Sequence, residues 1–166
     1  GAYRPDATSA GRRALTGMAL SMLCLAAQHT GDSIWPGKTL QRFKDAGNMT
    51  DRFNALAALV GSGHALAAPA LARFHQLFKD EPLVIDKWFA LQAGAPDRGG
   101  NVLSAVRQLM NHPDFQLKNP NRARALLDDL VGNAVGDAVY LGRSNVGHRL
   151  VVGRCIVDVA LIDFFF

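Results

Sequence analysis

The stretch Met49-Thr50-Asp51-Arg52-Phe53-Asn54-Ala55-Leu56-Ala57-Ala58-Leu59-Val60 decides the fold class. Met49, Phe53, Leu56 and Val60 fall at i, i+4, i+7 and i+11, which lines them along one face of an α-helix. Asn48 or Thr50 can cap its start, and Gly61-Ser62-Gly63 ends it. Working outward, the same period recurs on both sides. Residues 8–29 read as a helix rich in Ala, Leu and Met that Gly31 can stop. Trp35-Pro36-Gly37 reads as a connection, with a shorter helix over 38–46. Ala67, Ala70, Leu71, Phe74, Leu77 and Phe78 form the next stripe, with Pro69 tolerable in a first turn. Pro82 opens another helix, on which Val84, Trp88 and Leu91 share a face. Residues 96–100 are a loop, and Val102, Val106, Leu109 and Met110 make a further stripe. Asn119 is a cap and Pro120 a first helical residue, from which Ala123, Leu126, Leu127 and Leu130 continue.

Residues 8 to about 131 therefore hold short amphipathic helices with short connections and no βαβ alternation. Stripes on successive helices must bury one another. This predicts an all-α fold, a layered antiparallel array or superhelical solenoid of the HEAT or armadillo kind. The style changes from about Val131. Gly132, Gly136, Gly142, Gly147 and Gly153 interrupt β-branched residues, and Val151-Val152 and Ile156-Val157 look strand-like. The expected organisation is a helical domain over 1–131 and an atypical Gly/Val-rich tail over 132–166. The window Cys155 to Ile162 and the end Phe164-Phe165-Phe166 mark that tail as prone to association.

The chain has 166 residues, 49% hydrophobic and 19% charged, with a net charge of +4. This is a globular composition, too apolar for a disordered chain. No run of like charges forms a basic arm, so neither nucleic acid nor a membrane surface is expected as a partner. Cys155 to Phe166 is apolar but too short to span a bilayer, and it contains Asp158 and Asp163. Cys24 lies in an apolar run and reads as a small buried residue, and Cys24 and Cys155 make no disulfide framework. The polar start Gly1-Ala2-Tyr3-Arg4-Pro5-Asp6 has no Met and no signal-peptide character, which points to a fragment or processed product in the cytoplasm.

Catalytic motifs are absent from this sequence. His29, His64, His75, His112 and His148 include no H-E-x-x-H. On one continuous helix His64 and His75 would stand about 16 Å apart, too far to share a metal. Gly37-Lys38-Thr39 imitates the end of a phosphate loop, but Asp32 stands where that motif requires glycine and a helix precedes it. Asn48-Met49-Thr50 matches a glycosylation triplet with no secretory signal beside it. No serine has a nucleophile-elbow context. The informative polar feature is Asn119–Leu130, where Arg122 and Arg124 lie 200° apart at 100° per residue, on either side of the apolar stripe. By themselves they read as two solvated arginines, with Arg124 paired to Asp128.

Longer strings carry a resemblance. Asn48-Met49-Thr50-Asp51-Arg52, then Pro82-Leu83-Val84-Ile85-Asp86-Lys87-Trp88-Phe89-Ala90-Leu91-Gln92-Ala93, then Asn119-Pro120-Asn121-Arg122-Ala123-Arg124-Ala125-Leu126 stand in order, preceded by Tyr3-Arg4-Pro5-Asp6 and Ser9-Ala10-Gly11-Arg12-Arg13. Over residues 1–127 the chain resembles the C-terminal helical region of bacterial M1-family zinc aminopeptidases of the aminopeptidase N type. The resemblance implies a helical cap that closes over a zinc-bearing catalytic domain, encloses the substrate cavity and controls access to it. It implies that Arg124, the second arginine of N-P-N-R-x-R, faces the cavity and contacts peptide substrate, while Arg122 has a more structural role. A planar guanidinium suits a peptide carbonyl or carboxylate.

The departures matter as much. The family's H-E-x-x-H and G-A-M-E-N motifs are absent, so this chain is expected to hold no catalytic residue, no metal and no cofactor of its own. Zinc is expected in the catalytic domain of the parent, which is the expected partner together with peptide substrates. Asp128 to Phe166 matches none of the family's remaining helices, as a non-native reading frame or truncated copy would produce. The other readings are a free-standing helical-repeat scaffold that binds a protein, and a small basic RNA-binding helical protein; the latter lacks clustered basic or exposed aromatic signatures.

Overall fold

The computed structural model describes residues 3–97, 102–116 and 118–126. Among them every regular element is helical. The order is α1 (Ala7–Thr30), α2 (Ile34–Asp45), α3 (Met49–Ser62), α4 (Ala67–Phe78), α5 (Pro82–Ala93) and α6 (Val102–Met110), followed by α7, described over residues 120–126. The Gly/Val-rich tail, Cys155, Leu127, Asp128 and the boundary at 131 lie outside the described residues. No helix is long and apolar enough to cross a membrane among the described residues.

Local chemistry sets the helix ends. Asp6 accepts from the Ser9 amide at 2.8 Å and so satisfies an orphan donor of α1, which holds its carboxyl below the usual range. Gly31 stops the helix in the left-handed region at φ 73°, where a side chain would be strained. Asn48, not Thr50, caps α3: its side chain accepts from the Asp51 amide at 2.9 Å. Gly63 closes α3 with φ 66°. Pro82 stands at the start of α5.

One boundary differs from the sequence reading. Trp35-Pro36-Gly37 is not a connection but the first turn of α2. First-turn amides have no intrahelical partner, so the proline costs no hydrogen bond there. Gly37-Lys38-Thr39 is consequently mid-helix. Lys38 lies over the Trp35 ring at 4.8 Å, and Thr39 is buried against Cys24.

The helices pack on near neighbours along the chain. α3 is the centre, contacting α1, α2, α4 and α5; α4 then packs on α5, and α5 on α6. This nearest-neighbour arrangement makes the fold an all-α helical solenoid. The opening stretch earns that position, because Ala55, Leu56, Ala58, Leu59 and Val60 are all buried. Small residues let α1 approach α3. A Cβ on Gly17 would lie 2.7 Å from Asn54 Nδ2 and 2.8 Å from Asn54 Cγ, and Asn54 donates across the gap to the Arg13 carbonyl at 3.2 Å.

Cys24 is the small buried residue its apolar run predicts. It is fully buried, with Sγ 3.2 Å from Thr39 Oγ1. Burial pushes its thiol up, against a smaller opposing effect of the Thr39 hydrogen bond. Alkylation by iodoacetamide at mildly alkaline pH is therefore expected to spare Cys24 in the native chain and to modify it fully in denaturant. Peptide mapping by mass spectrometry checks this, and equal labelling in both states would contradict the packing.

Candidate functional site

The polar chemistry gathers at the far end of the solenoid, where α4, α5, the turn after α6 and α7 meet. Asn119 starts α7: its side chain accepts from the Asn121 amide at 3.1 Å, and the Ala123 amide donates to the Asn119 carbonyl. One turn in, Arg122 points inward. Its Nε donates to Asp86 Oδ1 at 2.7 Å, and both side chains are about nine-tenths buried. Nη1 donates to the Asp114 carbonyl and Nη2 to the Pro82 carbonyl at 3.4 Å. The guanidinium also lies over the Phe89 ring, 5.6 Å from its centroid. Arg122 thus ties α7 to α5 and to the turn after α6. It is not a solvated arginine.

Arg124 falls on the other side of the helix, as the 200° separation requires, and is exposed. Asp128, its expected pairing partner on sequence grounds, lies outside the described residues. Arg122 and Arg124 are therefore brought to one short helix but into opposite environments.

Around Arg122 stands a cluster of rings. His75 of α4 and Trp88 of α5 have centroids 5.1 Å apart, His75 and His112 also 5.1 Å, and Trp88 and His112 5.3 Å. Phe89 meets Trp88, His112 and Phe115 nearly edge-on. Trp88 Nε1 donates to the Leu71 carbonyl at 3.0 Å, fixing α5 against α4. The buried face of α5 is Ile85, Trp88, Phe89 and Ala93, with Val84 and Leu91 only partly buried beside it. That is a rotation from the Val84, Trp88, Leu91 face predicted from spacing.

On the solvent side of the rings lies an open cavity of about 720 Å³ lined by Leu71, His75, Trp88, Gln92 and His112, among others. His75 Nε2 is 2.5 Å from Asp114 Oδ2, and His112 Nδ1 is 3.8 Å from the same oxygen. His75, His112 and Asp114 offer ligand atoms all within 4.8 Å of one another, the arrangement among the described residues that could hold a metal. Burial pushes the His112 imidazole below the ordinary histidine range; the Asp114 carboxylate opposes this, while His75 and Arg122 add to it.

The sequence reading does not find this cluster. His112 and Asp114 share a turn, but His75 lies far upstream, and no local spacing links them. His64 does not share a helix with His75: α4 begins at Ala67, and His64 Nδ1 accepts from the Leu66 amide at 3.1 Å. Asn48, the apparent glycosylation site, is engaged as a helix cap.

Residues 1–138 match the family model described as a domain of unknown function with ARM repeats (DUF3458_C), so the likeness runs past Leu127, where the motif strings end it. The chain belongs to this family. Relatives of the same kind include aminopeptidase N of Caulobacter vibrioides, 39% identical over 127 residues, which covers 76% of this chain and 14% of that protein. Aminopeptidase N of Escherichia coli (strain K12) is 33% identical over 150 residues, covering 90% of this chain and 16% of that protein. The crystal structure of Legionella pneumophila aminopeptidase A in complex with aspartic acid superposes with a TM-score of 0.66 at 30% identity, over 82% of this chain and 16% of that one. This chain of the DUF3458_C family thus corresponds to a small part of proteins several times longer, and the ARM-repeat description agrees with its nearest-neighbour helical packing.

Proposed function

We propose that this chain is the C-terminal cap domain of a zinc aminopeptidase that removes N-terminal amino acids from peptides. In this reading it acts with a catalytic domain of the same enzyme, encloses the substrate cavity, and has no aminopeptidase activity alone. Family membership carries the proposal, since the relatives it spans in part are aminopeptidases. An apolar stripe on α1 supports a partner domain. Leu15, Met18, Met22 and Leu25 follow helical spacing and are all exposed, and a stripe of that kind normally faces a covering surface. The remainder of the longer aminopeptidase is the natural cover.

The family's zinc is bound through H-E-x-x-H, and no histidine of this chain stands in that motif. The catalytic zinc therefore belongs to the partner domain, and this chain's contribution is binding and access.

Arg124 is the residue proposed to touch substrate. Its exposure puts the guanidinium at the surface, where it can meet a peptide carbonyl or carboxylate, while Arg122 holds the helix in place. Arg124→Ala in the full-length enzyme is expected to weaken tetrapeptide binding by about 1.5–3 kcal/mol, the range of a charge-assisted hydrogen bond. An aminoacyl chromophore, with no peptide beyond the scissile bond, is expected to be affected far less. The measurement is kcat/KM for both substrates. Equal losses would indicate a folding defect, and no loss on either would remove Arg124 from the substrate path.

A further inference from the structure

We propose that His75, His112 and Asp114 form a binding site for a divalent transition cation of the zinc class at the mouth of the cavity between α4 and α5. The donor set is the first argument. Two imidazoles and one carboxylate suit zinc, cobalt or nickel, whereas magnesium and calcium prefer all-oxygen shells. Three protein ligands also leave a position for water or an incoming ligand.

Geometry is the second argument. The three donor atoms lie within 4.8 Å of one another, and Asp114 Oδ2 stands between the two rings, 2.5 Å from His75 Nε2 and 3.8 Å from His112 Nδ1. Tetrahedral ligands about 2.0–2.1 Å from zinc sit roughly 3.3 Å from each other. His75 and Asp114 must therefore separate by about 1 Å, His112 and Asp114 close by about 0.5 Å, and the two imidazole nitrogens, within 4.8 Å of each other, close by up to about 1.5 Å; side-chain rotations of these partly exposed residues supply the movements. The cation takes the place of the proton shared by His75 Nε2 and Asp114 Oδ2. That proton moves to Nδ1 of the same ring or to solvent. Metal at His112 Nδ1 likewise replaces the long 3.2 Å hydrogen bond that it accepts from the Asp114 amide.

The surroundings are the third argument. Arg122 Nη1 donates to the Asp114 carbonyl, and Asp86 fixes Arg122, so the turn carrying two of the ligands is anchored from behind. Trp88 packs against both imidazoles and limits their orientations. The cavity itself gives a hydrated ion a path to the site.

The experiment is a titration of the full 166-residue chain with zinc chloride at neutral pH, followed by calorimetry and by the visible spectrum of the cobalt-substituted protein. One equivalent is expected to bind, with cobalt bands of low-coordinate geometry. His75→Gln, His112→Gln and Asp114→Asn are each expected to weaken binding at least about tenfold, the cost of losing an oriented metal-site interaction. His29→Gln and His64→Gln are expected to leave it unchanged. Absence of stoichiometric binding, or the same affinity in all three site variants, overturns the site. Should a variant fail to fold, the wild-type chain decides: zinc is expected to protect His75 and His112, but not His29, from diethylpyrocarbonate, and no protection overturns the site. These results are independent of the aminopeptidase reading, because neither readout uses peptidase activity.

Discussion

Replacing Arg122 by methionine is expected to destabilise the chain by about 3–5 kcal/mol, the usual cost of removing one member of a buried ion pair. Methionine fills much of the space but leaves Asp86 buried without its cation, and it strips donors from the Asp114 and Pro82 carbonyls. The loss is large because the partner group remains desolvated, not because the pair itself contributes that much. In thermal unfolding followed by circular dichroism the expected drop in Tm is on the order of 10 °C. The Asp86→Leu/Arg122→Met double variant is expected to lose less than the sum of the two single variants, since it removes both buried charges together. Strict additivity would mean that water reaches the pair and that α7 is anchored in some other way.

Phe89→Ala is expected to cost a similar amount, about 3–5 kcal/mol, through a different mechanism. Phe89 is fully buried, with Trp88, His112 and Phe115 at its edges and the Arg122 guanidinium over its face. Truncation leaves a cavity that rigid neighbours on α5 and α7 fill only in part. Phe89→Leu keeps most of the volume and is expected to cost less than about 1.5 kcal/mol. Urea unfolding gives the free energies, and Trp88 fluorescence reports whether the ring cluster has rearranged. A loss from Phe89→Ala no greater than that from Phe89→Leu would show that the neighbours collapse into the space. The two variants also separate packing from charge: Phe89→Ala leaves the hydrogen bonds of Arg122 available, whereas Arg122→Met leaves the rings in contact.

The sequence by itself determined the helices and the order in which they follow. Stripes at helical spacing identify α3, α4, α5 and α6, an Ala-, Leu- and Met-rich run identifies α1, and Asn48, Pro82, Asn119, Gly31 and Gly63 mark ends through capping or backbone rules that act within a few residues. It failed at Pro36, because proline in a first turn and proline in a connection look alike locally. The motif strings N-P-N-R-x-R and D-K-W-F were equally legible, and the family to which they point is the one the chain belongs to. What only the tertiary structure decided is which polar residues meet. Arg122 and Asp86 are 36 residues apart, and His75 and Asp114 are 39 apart. Periodicity assigns each of them to a face of its own helix or turn. It carries no information about which face of another helix will lie opposite, since that depends on how buried stripes with no directional preference pack together. Thus the 200° between Arg122 and Arg124 puts them on opposite sides of the helix and is equally compatible with two solvated arginines, while the placement of α7 against α5 decided that Arg122 is buried.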